Sequence, residues 1–291
     1  MPSKSSPMDC GSPTARTVHS PFSDYYSLVN HIGSGGYGTV WSCIEKTTQL
    51  LCCVKIVPDK KCRRKTWSDR YNLHVPDEVA LWEPLSHPAL IPLLEVFYDS
   101  DSHYWMFVMG YEEGYMDLFN FIDKNGPVSS STAQHIARQV VHVLHFLFAS
   151  GVDHRDIKDE NILYNPTTHQ IKLLDFGSAS PLLSADQTYT SYQGTDVYLP
   201  PEYYKTKSYQ AFPAAVWTVG CLVHVLISGD CPFNDTDDIK DYICLKWLDD
   251  GDELAKDFVD QCLQLDVSNR LSASALINHR WFNEPEKNPT F

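Results

Sequence analysis

The residues able to do chemistry in this chain of 291 residues are concentrated in two short stretches. One reads His154-Arg155-Asp156-Ile157-Lys158-Asp159-Glu160-Asn161, and the other Leu174-Asp175-Phe176-Gly177. Phosphoryl transfer asks a protein mainly for positioning and charge neutralisation. Asp156 is of the type to accept or orient a hydroxyl proton, and Lys158 to steady a migrating phosphoryl group. Asn161 and Asp175 offer oxygen ligands to Mg²⁺, a hard cation. Lys55 lies in an apolar run, Cys52-Cys53-Val54-Lys55-Ile56-Val57. A buried ammonium needs a partner, and Glu78, at the start of the following helix, is the candidate. The alternative is a lysine pointing outward from a half-buried strand, which the alternating pattern leaves open. Gly33-Ser34-Gly35-Gly36-Tyr37-Gly38 can turn tightly and bring backbone N–H groups close to an anion. Dinucleotide folds use a similar pattern, but there a helix follows the glycines. Here the strand-like Thr39–Ile44 follows, which favours a hairpin flap over phosphates; a plain hairpin turn is the alternative.

The surrounding elements fall into two halves. From Tyr26 to Met109 the pattern is short β-rich runs: Leu28–Ile32, Thr39–Ile44, Leu50–Val57, Ile91–Phe97 and Tyr104–Met109. One helix interrupts them, with Pro76 at its first position and an end near Leu85. From Asp117 onward helical periodicity dominates, over Thr132–Ala149, Ala214–Ser228, Ile239–Leu248, Glu253–Leu263 and Ala273–His279. A small hairpin, Ile162–Tyr164 with Ile171–Leu174, lies between the two aspartates, which are 19 positions apart. A strand-rich first third and a helix-rich remainder predict an α+β chain of two lobes with a cleft between. The boundaries read as a disordered Ser/Pro-rich tail over 1–24, a first lobe over 25–109, a hinge over 110–116, a second lobe over 117–283 and a short tail over 284–291.

Composition narrows the partners. Apolar residues are 43% and charged residues 21%, which fits a globular chain. The formal net charge of −14 argues against nucleic acid, because phosphate contacts need clustered cations. No signal peptide is visible, and the apolar run Ala214–Ser228 reads as a core helix, so no membrane partner is expected. Nine scattered cysteines without a C-x-x-C pair point to free thiols in a reducing, cytoplasmic or nuclear, compartment. A monomer is the default expectation.

Taken together, these motifs resemble a eukaryotic protein kinase from Gly33 to Arg270. Pro200-Pro201-Glu202 stands where that family has Ala-Pro-Glu, and Arg270 where its buried partner lies. The form His-Arg-Asp-x-Lys-x-x-Asn is typical of Ser/Thr kinases. Within the kinases the chain is most similar to the Pim family, through Asp175-Phe-Gly-Ser178, Tyr198-Leu-Pro-Pro-Glu-Tyr203, Ala214-Ala-Val-Trp217 and Gly229-Asp-x-Pro-Phe233. The resemblance implies a bilobal kinase fold with a small antiparallel sheet and a regulatory helix in the first lobe. It implies ATP and Mg²⁺ as cofactors and transfer to Ser or Thr. ATP would be bound by Ile32, by the flap residues Gly33, Ser34, Gly35, Gly36 and Gly38, and by Lys55. Val40, Cys53 and Leu163 would sandwich adenine, with Met109 behind it. The Gly110 carbonyl and the Glu112 amide would each hydrogen-bond the base, since Pim kinases have proline where Glu112 stands. Asp117 and Glu160 match positions that hold substrate arginines, so basic Ser/Thr-containing proteins are the expected partners. Asp230, Asp235, Asp237 and Asp238 extend the acidic surface, with a solvated loop as the alternative.

Three departures matter. Ala215 replaces the aspartate that braces the catalytic loop in most kinases, as it does in Pim kinases. Cys53 replaces an alanine over adenine, a position open to alkylation. Ser191 replaces an aspartate that pairs with the catalytic-loop arginine, so Arg155 would need phosphorylation of Ser191 or Thr190 to regain an anion. Order by packing alone is the alternative. A catalytically weak pseudokinase scaffold is the alternative function, although Lys55, Asp156, Asn161 and Asp175 are all present.

Overall fold

The structure, a computed structural model, describes residues 17–36, 38–62, 64–233, 236–241 and 252–283. After a helical turn α1 (Phe22–Tyr25), the first lobe is a five-stranded antiparallel sheet. Its strands are β1 (Tyr26–Ser34), β2 (Thr39–Glu45), β3 (Leu51–Pro58), β6 (Leu93–Asp99) and β7 (Tyr104–Gly110), ordered β1-β2-β3-β7-β6. A separate hairpin, β4 (Lys65–Ser68) and β5 (Leu73–Pro76), leads into helix α2 (Asp77–Trp82). The strands of this hairpin are four residues long and only Leu73-His74-Val75 alternates, too short a pattern to stand out, and the sequence reading missed them. Helix α2 also stops three residues short of the expected end. Pro84 explains this: Glu83 still has helical geometry and bonds the Val79 carbonyl, but Pro84 has no N–H to continue the ladder to Ala80.

The expected tail over 1–24 is shorter where it can be described. Residues 1–16 lie outside the described residues, but 17–24 are packed. Val18 and Phe22 are buried. The Tyr98 N–H donates to the Val18 carbonyl at 2.8 Å on the β6 edge, and Phe22 stacks on Tyr26 and meets Phe97 edge-on. The apolar residues Val18 and Phe22 supply the burial that the Ser/Pro composition suggested was missing.

The second lobe contains β8 (Met116–Asp117), α3 (Leu118–Asn125), α4 (Ser130–Ala149), β9 (Val152–Asp153), β10 (Ile162–Tyr164) and β11 (Ile171–Leu173). Short pairs β12 (Ser180–Pro181) with β9, and β13 (Thr188–Tyr189) with β14 (Tyr209–Gln210), tie down the segment that follows Asp175. Helices α5 (Pro201–Thr206), α6 (Ala211–Ser228), α7 (Thr236–Asp241), α8 (Glu253–Cys262), α9 (Ala273–Ile277) and α10 (Arg280–Asn283) complete it. The expected helix Ile239–Leu248 runs partly outside the described residues. Helix α6 is long and apolar enough by composition to cross a membrane, yet 78% of that stretch is buried inside the fold. It is packed against α4 and α8, closely enough that a Cβ on Gly220 would stand 2.7 Å from the Cys262 Cβ. The core runs continuously from Val57 and Trp82 through Phe176 to Trp217 and Phe258. Burying a large apolar side chain is worth about 1.5 to 3 kcal/mol, so this shared core fixes the lobes around the cleft.

Candidate active site

Sheet register places the first-lobe residues. Val40 lies opposite Lys55, and Cys53 opposite Met109. Because directly opposed residues, and residues two apart on one strand, share a face, Val40, Cys53, Lys55 and Met109 lie on one side of the sheet. Gly33–Gly38 joins β1 to β2, as expected for a flap. Gly38 has no room for a side chain, since a Cβ there would stand 2.2 Å from the Ile56 carbonyl oxygen. Ile32 is exposed on β1. Gly110 ends β7 with its N–H on the Pro92 carbonyl. In the hinge the Glu112 carboxylate reaches Lys172 of β11 at 3.3 Å, a bridge the sequence reading did not foresee.

Lys55 is the geometric centre. Its Nζ donates to Glu78 Oε1 at 2.6 Å and to Asp175 Oδ1 at 2.7 Å. Burial acts to lower the Lys55 pKa, but the two carboxylates outweigh it and hold the ammonium above its ordinary value. Burial likewise opposes ionisation of Asp175, while Lys55 and the Gly177 N–H hold its carboxyl below the usual range. The outward-pointing lysine is therefore excluded. Desolvation takes back most of what buried ion pairs gain, so the triad is better understood as a positioning device than as a source of stability.

Behind it, an aromatic column keeps the pieces in register. Phe176 stacks on Trp82 of α2, with centroids 5.6 Å apart. His154 meets the other side of Phe176 at 5.1 Å, and its Nε2 bonds the Leu174 carbonyl at 2.8 Å. Burial favours neutral His154. Arg155 and Asp175 both have left-handed backbones, φ 65° and 60°, which costs of order 1 to 3 kcal/mol each in a non-glycine residue. The hydrogen bonds around them hold that conformation.

Asp156 faces the cleft floor. The Asn161 amide group donates to Asp156 Oδ2 at 2.9 Å and to its carbonyl at 2.8 Å. Both amide hydrogens are thereby used, and the remaining Asn161 oxygen is a hard acceptor. Lys158 donates to Thr195 Oγ1 at 2.8 Å and stands 3.7 Å from Asp156 Oδ2. Thr195 Oγ1 donates to Asp156 Oδ1 at 3.3 Å. Thr195 was not singled out from sequence; its position ahead of Pro200-Pro201-Glu202 was the available signal. Among the described residues no group of three or more His, Cys, Asp or Glu side chains forms a metal site. The Asn161 oxygen and the Asp175 carboxylate nonetheless suit Mg²⁺, which takes few protein ligands and shares itself with phosphates.

This arrangement has counterparts among known proteins. The protein kinase domain family matches residues 26–282. The chain belongs to the protein kinase family. It is 32% identical to the serine/threonine-protein kinase pim-2 of Danio rerio, over 90% of this chain and 86% of that protein. It is 31% identical to the serine/threonine-protein kinase prk-2 of Caenorhabditis elegans, over 91% of this chain and 60% of that one. To the 3-phosphoinositide-dependent protein kinase B of Dictyostelium discoideum it is also 31% identical, over 93% of this chain and 30% of that protein. The chain thus spans only part of the last two relatives. It is a protein-serine/threonine kinase.

The side-chain hydrogen bonds of Arg155 in this kinase go to neutral groups, with the buried Asp153 carboxyl nearby. Arg155 donates to Tyr209 Oη at 2.7 Å, to Ser180 Oγ at 2.9 Å and to the Ser191 carbonyl at 2.6 Å. Its guanidinium lies 4.1 Å from the Tyr189 ring centre. None of these partners carries charge, and the Thr190 and Ser191 residues are exposed. Ala215 lines a void of about 20 Å³ beside Arg155 and Tyr209. Farther back, Arg270 makes a bidentate pair with Glu202 at 3.0 and 2.9 Å.

Of the two residues expected to meet substrate, Asp117 caps α3, accepting from the Asn120 backbone N–H at 2.9 Å and its side chain at 2.7 Å. Glu160 stands free of that duty. With Asp123 and Asp230 it lines a cavity of about 470 Å³. Asp123 was not identified from sequence; Asp235 lies outside the described residues. In the nucleotide cleft, burial pushes the Cys53 thiol up to about 11, which suppresses the thiolate that alkylation requires.

Proposed function

We propose that this kinase transfers the γ-phosphoryl group of ATP, with Mg²⁺, to Ser or Thr hydroxyls preceded by arginine or lysine. The observation that carries this reading is Lys55 bonded at once to Glu78 and Asp175, above an Asp156 that Asn161, Lys158 and Thr195 surround. Lys55 would hold the α- and β-phosphates beneath the flap of Gly33, Gly35 and Gly38. Asn161 and Asp175 would hold Mg²⁺, which neutralises phosphate charge when bound. Asp156 would accept the hydroxyl proton, and Lys158 would steady the transferred group. Val40, Cys53 and Leu163 would enclose adenine, Met109 would back it, and Gly110 and Glu112 would hydrogen-bond it.

The preference for basic peptides is supported by Glu160, Asp123 and Asp230 around one cavity, and by the net charge of −14. Such a surface speeds encounter with cations. Asp117 would add to this, although its oxygens also serve the helix cap; Glu160 likewise stands 3.7 Å from Lys158. Phosphorylation of Ser191 or Thr190 would add an anion to a segment that neutral contacts already hold. The described cysteines are free thiols, in keeping with a monomeric kinase acting in a reducing compartment.

A positional peptide library assayed with ATP and Mg²⁺, on wild type and Asp156→Asn, tests the whole reading. Phosphorylated Ser and Thr peptides enriched in upstream Arg or Lys are expected from wild type alone. Transfer by neither protein would leave the scaffold alternative; transfer without basic selection would remove the acidic subsite.

A further inference from the structure

Three of the described flap glycines have open space around them. A Cβ added at Gly33, Gly35 or Gly36 would meet nothing within 4 Å. Among the described flap residues, packing therefore confines Gly38 at the root and leaves Gly33, Gly35 and Gly36 open. An element with so few contacts opens at little free-energy cost, and small biases decide where it rests.

Beyond the β1–β2 ladder and a bond between Ser34 Oγ and the His31 ring of the same strand, two polar contacts among the described residues hold Gly35 and Gly36. The Gly35 N–H donates to the Gly38 carbonyl at 2.9 Å, which is internal to the flap and moves with it. The other crosses to a different element: Lys61 Nζ donates to the Gly36 carbonyl oxygen at 2.7 Å. Lys61 ends the 3₁₀ turn Asp59–Lys61 that follows β3, and this turn is firmly anchored. The Asp59 carboxylate accepts from Trp105 Nε1 at 2.6 Å and pairs with Lys65 at 2.6 Å. The Asp59 N–H donates to the His103 carbonyl at 2.9 Å. Trp105 is itself buried. Lys61 thus reaches from a fixed base to a loose tip. Both line a cavity of about 750 Å³ that Glu78 and Gly177 also border.

We propose that Lys61 is a positioning residue, an ammonium latch that holds the flap tip lowered over the phosphate site before nucleotide arrives. The proposal rests on the ATP reading above. A carbonyl oxygen bonded to an ammonium is kept from turning toward the phosphates, which it would repel. The flap is also ordered in advance, so less ordering entropy opposes binding.

Calorimetric binding of MgATP and of adenosine to wild type, Lys61→Ala and Lys61→Arg tests this, with amide exchange of residues 33–40 measured without nucleotide. Lys61→Ala is expected to weaken ATP binding about threefold to tenfold, the size of one hydrogen bond. Adenosine, which lacks phosphates, is expected to bind equally to all three proteins. Lys61→Arg is expected to stay within about twofold of wild type for ATP, and flap exchange to quicken in Lys61→Ala alone. Unchanged ATP affinity, or equal weakening for adenosine, overturns the latch. So does weaker ATP binding without faster flap exchange, which would make Lys61 a direct phosphate contact. Wild type that binds neither ligand would instead overturn the ATP reading itself.

Discussion

Lys55 and Arg155 sit on either side of the cleft, and the fold treats them in opposite ways. Lys55 is enclosed between two carboxylates, at 2.6 and 2.7 Å. Arg155 is met by a tyrosine hydroxyl, a serine hydroxyl, a backbone carbonyl and an aromatic face. The difference teaches that one cation is held by charge and the other by shape. A charged clamp is expensive to desolvate and strict in geometry, which suits the phosphate-holding role proposed for Lys55. A cage of neutral acceptors is cheaper, and here it engages the segment through hydroxyl, carbonyl and ring contacts.

The largest expected effect breaks the charged side. Lys55→Met would leave Glu78 and Asp175 without their shared cation. Peptide phosphorylation, followed by phosphate incorporation, is expected to fall at least about 100-fold, as when a preorganised charge-stabilising donor is removed. Turnover within about tenfold of wild type would mean that the clamp does not position the nucleotide.

Tyr209→Phe probes the neutral side. It removes an acceptor that Arg155 uses through both Nε and Nη2. A loss of about 1 to 2 kcal/mol in urea unfolding is expected, with faster amide exchange over residues 188–195. No loss would assign the holding of Arg155 to the Tyr189 ring instead.

Asp153 sharpens the contrast by pH. Burial raises its carboxyl to about 6, against the nearby charge of Arg155. A carboxyl raised in the folded state favours folding while protonated. Its stabilising share is full below the unfolded value near 3.8 and is lost as pH rises through about 6. Asp153→Asn stays neutral throughout. Its stability relative to wild type should therefore grow by about 1 kcal/mol between about pH 5 and about pH 7.5, in paired thermal melts. A constant difference would show that Arg155 keeps Asp153 ionised across the range.

The smallest effect is expected at Ser191. Its carbonyl, not its hydroxyl, engages Arg155. Ser191→Ala should keep peptide phosphorylation within about twofold of wild type, since no hydrogen bond is lost. A large loss would mean that the neutral cage is insufficient and that phosphate on Ser191 is required.

These two cations also mark how far the sequence could be read. The groups around Lys55 were legible because each belongs to a contiguous motif with its own chemical reason: Asp175 in Asp-Phe-Gly, Glu78 in the first turn of a helix after Pro76. The partners of Arg155 were not. Ser180 and Tyr209 stand 25 and 54 residues away, and hydroxyl acceptors leave no local pattern. The lobes were legible from the switch in periodicity. The β4–β5 hairpin was not, because strands of four residues, with one alternation at Leu73-His74-Val75, carry little signal. Helix α2 was overextended because its apolar spacing was weighed without the proline that stops it. The role of Lys61 escaped for a similar reason to that of Tyr209: a lysine reaching a backbone carbonyl 25 residues away has no signature in one dimension.

The strap formed by Val18 and Phe22 bears on how this kinase can be handled. It occupies the β6 margin through the Tyr98 N–H and roofs Phe97 and Tyr26. A truncation beginning at Tyr25 would strip that margin and bare two aromatic rings, leaving a strand open to pairing with a neighbouring molecule. Expression boundaries chosen upstream of Thr17 keep the cover in place and the protein dispersed.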